Sequence, residues 1–532
     1  MTDEKKPLPY GISDFKKLIE GNFYYVDKSL FIKELLKEKT EVNLIPRPRR
    51  FGKTLNMSML RYFFEANPRS PDQQEQQNRH LFEHLAISTF PTAMAHQGQY
   101  PVIFISLKDV HQKTWGNCYE QIKKILSEEF RRHKYVLESD ALDPDQKRDF
   151  QEILQKTASE EVCRNALADL LRYLYQYYQK PAIVLIDEYD AVIHAAHLYN
   201  SNQEGSATCH FYTDAIDFMR SFLGGGLKDS TILEFAVVTG ILRVAKESIF
   251  SGLNNLAIET FLSNFYADKF GFTEPEVAAL RAYYNLPQTK DEMRDWYDGY
   301  QSGEHCVYTP WSIINIARYK ILQAYWTKTA QENIIRRLVE PGNTEQRADL
   351  SILMSGGTIE KKIDENIAFE RVDTHADALW NLLLFSGYLT FSSITAKQAG
   401  RYAQLKIPNR EIAELYFSSI QDWFYEQANT KNYFEILKKL VAGDTQEFKE
   451  LFTDFVRKSL STFDIRKNEP ENFYHALVLG MLIGLHETHE IKSNRESGTG
   501  RYDVVLIPKD HQLPGIIFEC CSKVISSSHR AK

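Results

Sequence analysis

Cysteine is scarce in this chain: six in 532 residues, at positions 118, 163, 209, 306, 520 and 521. No two form a Cys-x-x-Cys pair, so histidines at finger-like spacing have no cysteine pair to complete a site. This argues against structural zinc. Long apolar runs are missing as well. None approaches the roughly 18 residues that mark a membrane-spanning helix. The opening Met1-Thr2-Asp3-Glu4-Lys5-Lys6 leads into no apolar stretch of the secretory kind. The expectation is a soluble, cytoplasmic protein with no membrane partner. Positive charge is not in excess, since the formal net charge is −7. Any contact with nucleic acid must therefore come from a local patch. What is present is ordinary for a globular chain, with 43% hydrophobic and 25% charged residues. The length suits roughly two to four domains, and the core can be large enough to need no disulfide or metal staple.

The most informative stretch runs from Val42 to Thr54. It reads as a short apolar strand, a basic turn, and then Gly52-Lys53-Thr54 opening a helix. That order suits a triphosphate, because N–H groups of the turn and of the helix N-terminus point at the phosphates. Arg49, Arg50, Phe51 and Gly52 would form the cradle. Lys53 would reach the β- and γ-phosphates, and the Thr54 hydroxyl would hold Mg2+. The strict pattern has glycine at position 47, where this chain has Arg47. A basic strand–helix turn that merely contains Gly52-Lys53-Thr54 is the competing reading.

A second segment favours the phosphate reading. Pro181-Ala182-Ile183-Val184-Leu185-Ile186-Asp187-Glu188-Tyr189-Asp190 is an apolar run ending in acids. Buried parallel strands read as such runs, and ligands bind at their carboxyl ends. Asp187 would hold Mg2+ through water, and Glu188 would polarise the attacking water. An acidic cap on a core strand is the alternative for this segment taken alone.

Along the rest of the chain, Asp27 is expected to cap a helix over Lys28 to Leu36. Pro101 to Leu107 and Glu234 to Gly240 read as buried strands, and Trp115 to Arg132 and Ala158 to Tyr178 have helical spacing. Phe211 to Leu223 reads as a helix that Gly224-Gly225-Gly226 breaks. Strands alternate with helices to about residue 265, the pattern of a parallel sheet covered on both faces. One strand lies in sequence between the loop and the acidic strand, as in ATPases that place a glutamate beside the Mg2+ aspartate. Residues 266 to 385 read as mostly helical, with aromatics that pack a core. Gly387 to Phe391 and Tyr402 to Ile407 read as paired strands followed by a helix at Glu411, a winged-helix-like pattern. No internal repeat is evident.

Taken in order, the motifs resemble a known family. They are Tyr10-Gly11-Ile12-Ser13-Asp14-Phe15, Tyr25-Val26-Asp27-Lys28-Ser29, Arg47 to Thr54, Leu185 to Asp190, Thr239-Gly240-Ile241-Leu242-Arg243, Phe250 to Asn255, Trp296 to Tyr300, Leu405 to Asn409 and Ser493 to Asp503. Together they resemble the AAA-ATPase-like proteins that carry a C-terminal nuclease-like domain of the PD-(D/E)XK superfamily. The resemblance covers nearly the whole chain, and arginine at position 47 is usual in it. It implies an α/β fold: a P-loop NTPase parallel sheet with helices on both faces, a helical and winged-helix-like region, and a small α/β nuclease-like domain. The expected bounds are residues 1–265, 266–425 and 426–532. It also implies ATP as the nucleotide, and DNA and a homo-oligomeric neighbour as candidate partners. Arg243 follows the third buried strand, where such ATPases often sense the γ-phosphate; a solvated charge at a helix start is the alternative.

PD-(D/E)XK nucleases hold Mg2+ with two carboxylates on adjacent strands and use a lysine two residues after the second. Asp503 and Glu519 are the natural acid pair here, with Glu471 or Glu490 as a further upstream acid. Cys521 stands where the lysine is required, and the next lysine on that alternation is Lys523. The shift moves the ammonium's anchor by roughly 6.5–7 Å, whereas catalytic geometry tolerates about an ångström. The chain also stops at Lys532, soon after this strand. The expectation is a truncated, inactive nuclease domain under an ATP-hydrolysing P-loop domain. The rival expectation is a nucleotide-gated interaction or regulatory protein with little or no hydrolysis.

Overall fold

Five short apolar segments pair into one parallel sheet. They are β1 (Val42–Pro46), β2 (Val102–Ser106), β3 (Ala182–Asp187), β4 (Leu233–Gly240) and β5 (Leu256–Ile258), in the spatial order β2-β3-β4-β1-β5. They are drawn from a computed structural model that describes residues 5–67, 78–200, 209–242, 249–250, 252–326, 335, 344–354, 356–365, 376–398, 400–427, 430–461, 478, 481–482, 485, 488–497 and 500–518. Every residue of β1 and β3 is buried, which is why these strands read as unbroken apolar runs. Parallel strands need crossovers, and the helices Lys53–Phe64, Trp115–Arg132, Glu160–Tyr178 and Cys209–Leu227 lie between them in the chain. The parallel sheet with flanking helices expected from the alternation is the fold observed.

The strand order positions the site. β2, which lies between the loop and the acidic strand in sequence, sits at the sheet edge. The strand between β1 and β3 in space is β4, which follows both in the chain. The connection leaving β1 therefore passes over β4 and β3 before the chain works back. Such an order opens a crevice at the carboxyl ends of the strands, where open α/β sheets bind ligands.

Three local expectations are corrected. Asp27 is not an N-cap: the helix is Leu30–Glu38, preceded by Ser29. Asp27 instead accepts from the N–H of Ser29 at 2.8 Å and of Ala86 at 2.7 Å, the fold-back that short acids favour in turns. Gly224-Gly225-Gly226 does not end its helix, because Cys209–Leu227 runs through all three. A Cβ on Gly226 would lie 2.5 Å from Leu167 Cγ, and one on Gly225 would lie 3.8 Å from the Ala168 Cβ. The glycines let this helix lie close on Glu160–Tyr178, and that packing outweighs their poor propensity. Residues beyond 266 also hold a ribbon, β6 (Phe272–Thr273), β7 (Tyr300–Ser302) and β8 (His305–Tyr308), in the order β6-β8-β7. Trp296, Tyr297, Tyr300 and Tyr308 are buried there, and Trp311 is half-buried.

The chain divides into two compact units: Met1–Leu322 with Ile363–Tyr388, and Gln323–Lys362 with Leu389–Lys532. The first holds the five-stranded sheet and the ribbon. In the second, β9 (Ile359–Lys362), β10 (Thr390–Lys397) and β11 (Gly400–Lys406) form an antiparallel sheet in the order β10-β11-β9, and the helix Arg410–Gln427 follows. The same unit contains β12 (His489–Ser497), β13 (Gly500–Pro508) and β14 (Ile516–Phe518), antiparallel in that order. Among the described residues no helix is long and apolar enough to cross a membrane.

Candidate functional site: the phosphate loop and the acidic turn

β1 ends at Pro46, and the helix Lys53–Phe64 begins six residues after Arg47 with Gly52 as its N-cap at φ +83°. Arg50 is also left-handed, at φ +69°. Glycine adopts that conformation freely, whereas arginine needs surrounding contacts to hold it. Those contacts are present. The Arg50 guanidinium rests 4.2 Å from the Trp311 ring, which in turn lies 5.2 Å from Tyr10. Phe51 is buried edge-on against Tyr300 at 5.0 Å, and its carbonyl accepts from Gly271 N at 3.2 Å. Pro48 sits against Gly387, where a Cβ would come within 2.8 Å of it. The first N–H groups of the helix have no partner inside it.

Arg47 stands where the strict pattern has glycine, and its partners explain how. The side chain is buried: Nη1 donates to the carbonyls of Pro46 at 2.9 Å and Glu259 at 2.5 Å, and the guanidinium lies 5.2 Å from the Phe270 ring. Burial pushes its pKa down to about 9 against the pull of Glu259. It stays charged at neutral pH and ties the loop to residues beyond β5 rather than to a ligand.

Lys53 is buried, and its ammonium donates to the carbonyls of Arg47 and Pro48, each at 3.0 Å. Burial pushes its pKa down, while Glu188, Asp187 and Asp190 support the charge. Thr54 Oγ1 donates to Asp187 Oδ2 at 2.7 Å. Thr239 Oγ1, at the end of β4, donates to Asp187 Oδ1 at 2.7 Å. Loop and acidic strand are thus brought together. Thr239 was not anticipated as a site residue. The available signal was a hydroxyl at the carboxyl end of an otherwise apolar strand.

Glu188 has φ +52°. Such a conformation costs a non-glycine residue roughly 1–2 kcal/mol, and residues held this way cluster at functional sites. Burial raises the Glu188 pKa, with the Lys53 charge opposing. A carboxylate so placed is a stronger base than one in water. Asp190 is a different kind of acid. It is buried, its Oδ2 accepts from the N–H groups of Ile241 and Leu242 at 2.9 Å each, and His194 Nε2 lies 3.3 Å away. Burial alone would raise its pKa, but His194 and those N–H groups bring it below the ordinary value. The two acids thus differ in environment, the Glu188 carboxyl being shifted up and the Asp190 carboxyl down. The Arg49 charge reaches this group too, acting on Lys53, Glu188 and the exposed His111.

Other expected site residues lie elsewhere. Arg243, Glu471 and Glu519 fall outside the described residues, as do Cys521 and Lys523. Asp503 is on β13, and Glu490 is on β12, paired with Ile507.

Residues 9–250 match the family described as "Predicted AAA-ATPase" (AAA-ATPase-like), and residues 469–532 match the PD-(D/E)XK nuclease superfamily. The chain carries an AAA-ATPase-like domain and a PD-(D/E)XK nuclease-superfamily domain. The loop at 49–54, the acids at 187, 188 and 190, and Thr239 all fall inside the AAA-ATPase-like domain. Asp503 falls inside the nuclease-superfamily domain. Over 521 residues the chain is 26% identical to "Uncharacterized protein in vnfD 5'region" of Azotobacter chroococcum mcd 1, covering 95% of this chain and 88% of that protein.

Proposed function

We propose that the AAA-ATPase-like domain binds and hydrolyses ATP with Mg2+, and that its nucleotide state controls a DNA-engaging C-terminal domain that does not cut. One observation carries the first part. The Asp187 carboxylate is held between the hydroxyls of Thr54 and Thr239 at 2.7 Å each, beside the buried ammonium of Lys53. A hydroxyl and a carboxylate are hard oxygen donors, the kind that suit Mg2+. Thr54 and Asp187 would hold the ion, which when bound offsets the charge that develops on the phosphates. Lys53 leaves its two carbonyl partners for the β- and γ-phosphates. Arg49 and Arg50 add positive charge, and the N–H groups of residues 50–54 complete the cradle. Glu188 accepts the proton of the attacking water, a step for which its raised basicity suits it. Arg243, next after Leu242 in the chain, senses the γ-phosphate in this reading.

For the C-terminal domain, Asp503 and Glu519 are the proposed remnant of a metal site. Its silence rests on Cys521 at the position that PD-(D/E)XK chemistry gives to lysine. DNA contact and homo-oligomeric assembly belong to this reading through the two domain types together.

The test is ATP turnover and Mg-nucleotide binding in the wild type, Lys53→Ala and Glu188→Gln. Lys53→Ala is expected to lose binding. Glu188→Gln is expected to bind but turn over about 10²–10⁴-fold more slowly. Binding without wild-type turnover would favour the nucleotide-gated interaction protein instead. Turnover unchanged in Glu188→Gln would remove that residue as the base.

A further inference from the structure

The turn after β3 grips the end of β4 and the turn that follows it at four points. The Tyr189 N–H donates to the Thr239 carbonyl at 3.0 Å, and the Tyr189 hydroxyl donates to the Leu242 carbonyl at 2.8 Å. Asp190 Oδ2 accepts from the N–H groups of Ile241 and Leu242, both at 2.9 Å. Gly240 sits inside this grip. A Cβ there would lie 2.5 Å from Asp190 Oδ1 and 2.8 Å from the Tyr189 ring. From the other side, Arg47 N donates to the Gly240 carbonyl at 3.0 Å, so the same short segment is also tied to the phosphate loop. Tyr189 and Asp190 are both buried.

The residue between these anchors is Glu188, in its left-handed conformation. A side chain keeps such a backbone only where its neighbours over-determine it. On one side Asp187 is fixed by Thr54 and Thr239. On the other, Tyr189 and Asp190 are fixed by residues 239–242. The Tyr189 hydroxyl is occupied by a backbone partner, and Asp190 Oδ2 by two backbone N–H groups with His194 beside them.

We infer that Tyr189 and Asp190 are positioning residues that lock the Glu188 turn onto the Thr239–Leu242 segment, so that the base and the hydroxyl steadying Asp187 are set as one body. The inference deepens the ATPase reading and rests on it. A base displaced by about an ångström loses rate steeply, while Tyr189 and Asp190 are not themselves among the residues assigned to the phosphate cradle at 49–54. The consequence is a defect in kcat without one in KM.

The experiment compares kcat and KM for ATP in the wild type, Tyr189→Phe, Asp190→Asn and Gly240→Ala, with circular dichroism as the check on folding. Asp190→Asn is expected to lower kcat about 10- to 100-fold with KM within about 3-fold of wild type, and Tyr189→Phe to lower kcat about 3- to 10-fold in the same manner. Gly240→Ala pushes the grip apart from the opposite side, so it should reproduce the kcat-only defect even if Asp190→Asn fails to fold. Wild-type turnover with kcat unchanged in the folded variants would overturn the clamp alone, as would a defect confined to KM. A wild-type protein with no turnover would overturn the ATPase reading beneath it, and the wild-type measurement alone reveals that case.

Discussion

At the scale of single residues, the site is a matter of where oxygen atoms are satisfied. Asp187 is fully buried, and two hydroxyls occupy its two oxygens. Thr239→Val keeps the shape but leaves Oδ1 without that donor. Leaving a buried acceptor unmet costs about 1–3 kcal/mol, so the urea midpoint of the nucleotide-free protein should fall. A midpoint equal to wild type would contradict the bond. The sequence made Lys53, Thr54 and Asp187 legible because each sits in a local pattern with its own chemistry. The Thr239 motif was legible but the residue's bond to Asp187 was not, because its partner is 52 residues away. Arg47 departed from the strict pattern, and only its burial among carbonyls at Pro46 and Glu259 accounts for it.

At the scale of elements, packing overrode local propensity. Three consecutive glycines read as a helix breaker, yet Cys209–Leu227 continues through them. The three are not equivalent. A Cβ on Gly224 meets nothing within 4 Å, whereas one on Gly226 meets Leu167 Cγ at 2.5 Å and Cδ2 at 2.7 Å. Alanine is the better helix former by about 1 kcal/mol. Gly224→Ala should therefore stabilise the protein by up to that amount. Gly226→Ala should destabilise it by about 1–3 kcal/mol, as overpacking does. Thermal unfolding of the two variants checks the opposite signs, and equal shifts would contradict the close approach. By contrast, Trp115–Arg132 was legible to the residue, because an amphipathic face and a Thr114 cap act locally.

At the scale of the whole molecule, the alternation of strands and helices was enough to read a parallel sheet. The spatial order β2-β3-β4-β1-β5 was not, because it depends on pairings such as Val42 with Ala236 that no local pattern encodes. The ribbon β6–β8 was missed for a related reason: strands of two to four residues carry too little periodicity to read. The nuclease-superfamily domain also carries a prediction for DNA. With Cys521 in the lysine position, purified protein is expected to leave single- and double-stranded DNA intact in the presence of Mg2+. Cleavage that Asp503→Ala abolishes would contradict this, and would make Lys523 or another cation the compensating group.

The account turns on a polyphosphate lying in the loop at 49–54 with Asp187 facing it. Calorimetric titration of Mg-ATP into wild type and Lys53→Ala tests this most directly. The predicted result is saturable binding by the wild type that Lys53→Ala loses while remaining folded. Heat absent from the wild type, or undiminished in Lys53→Ala, would contradict it.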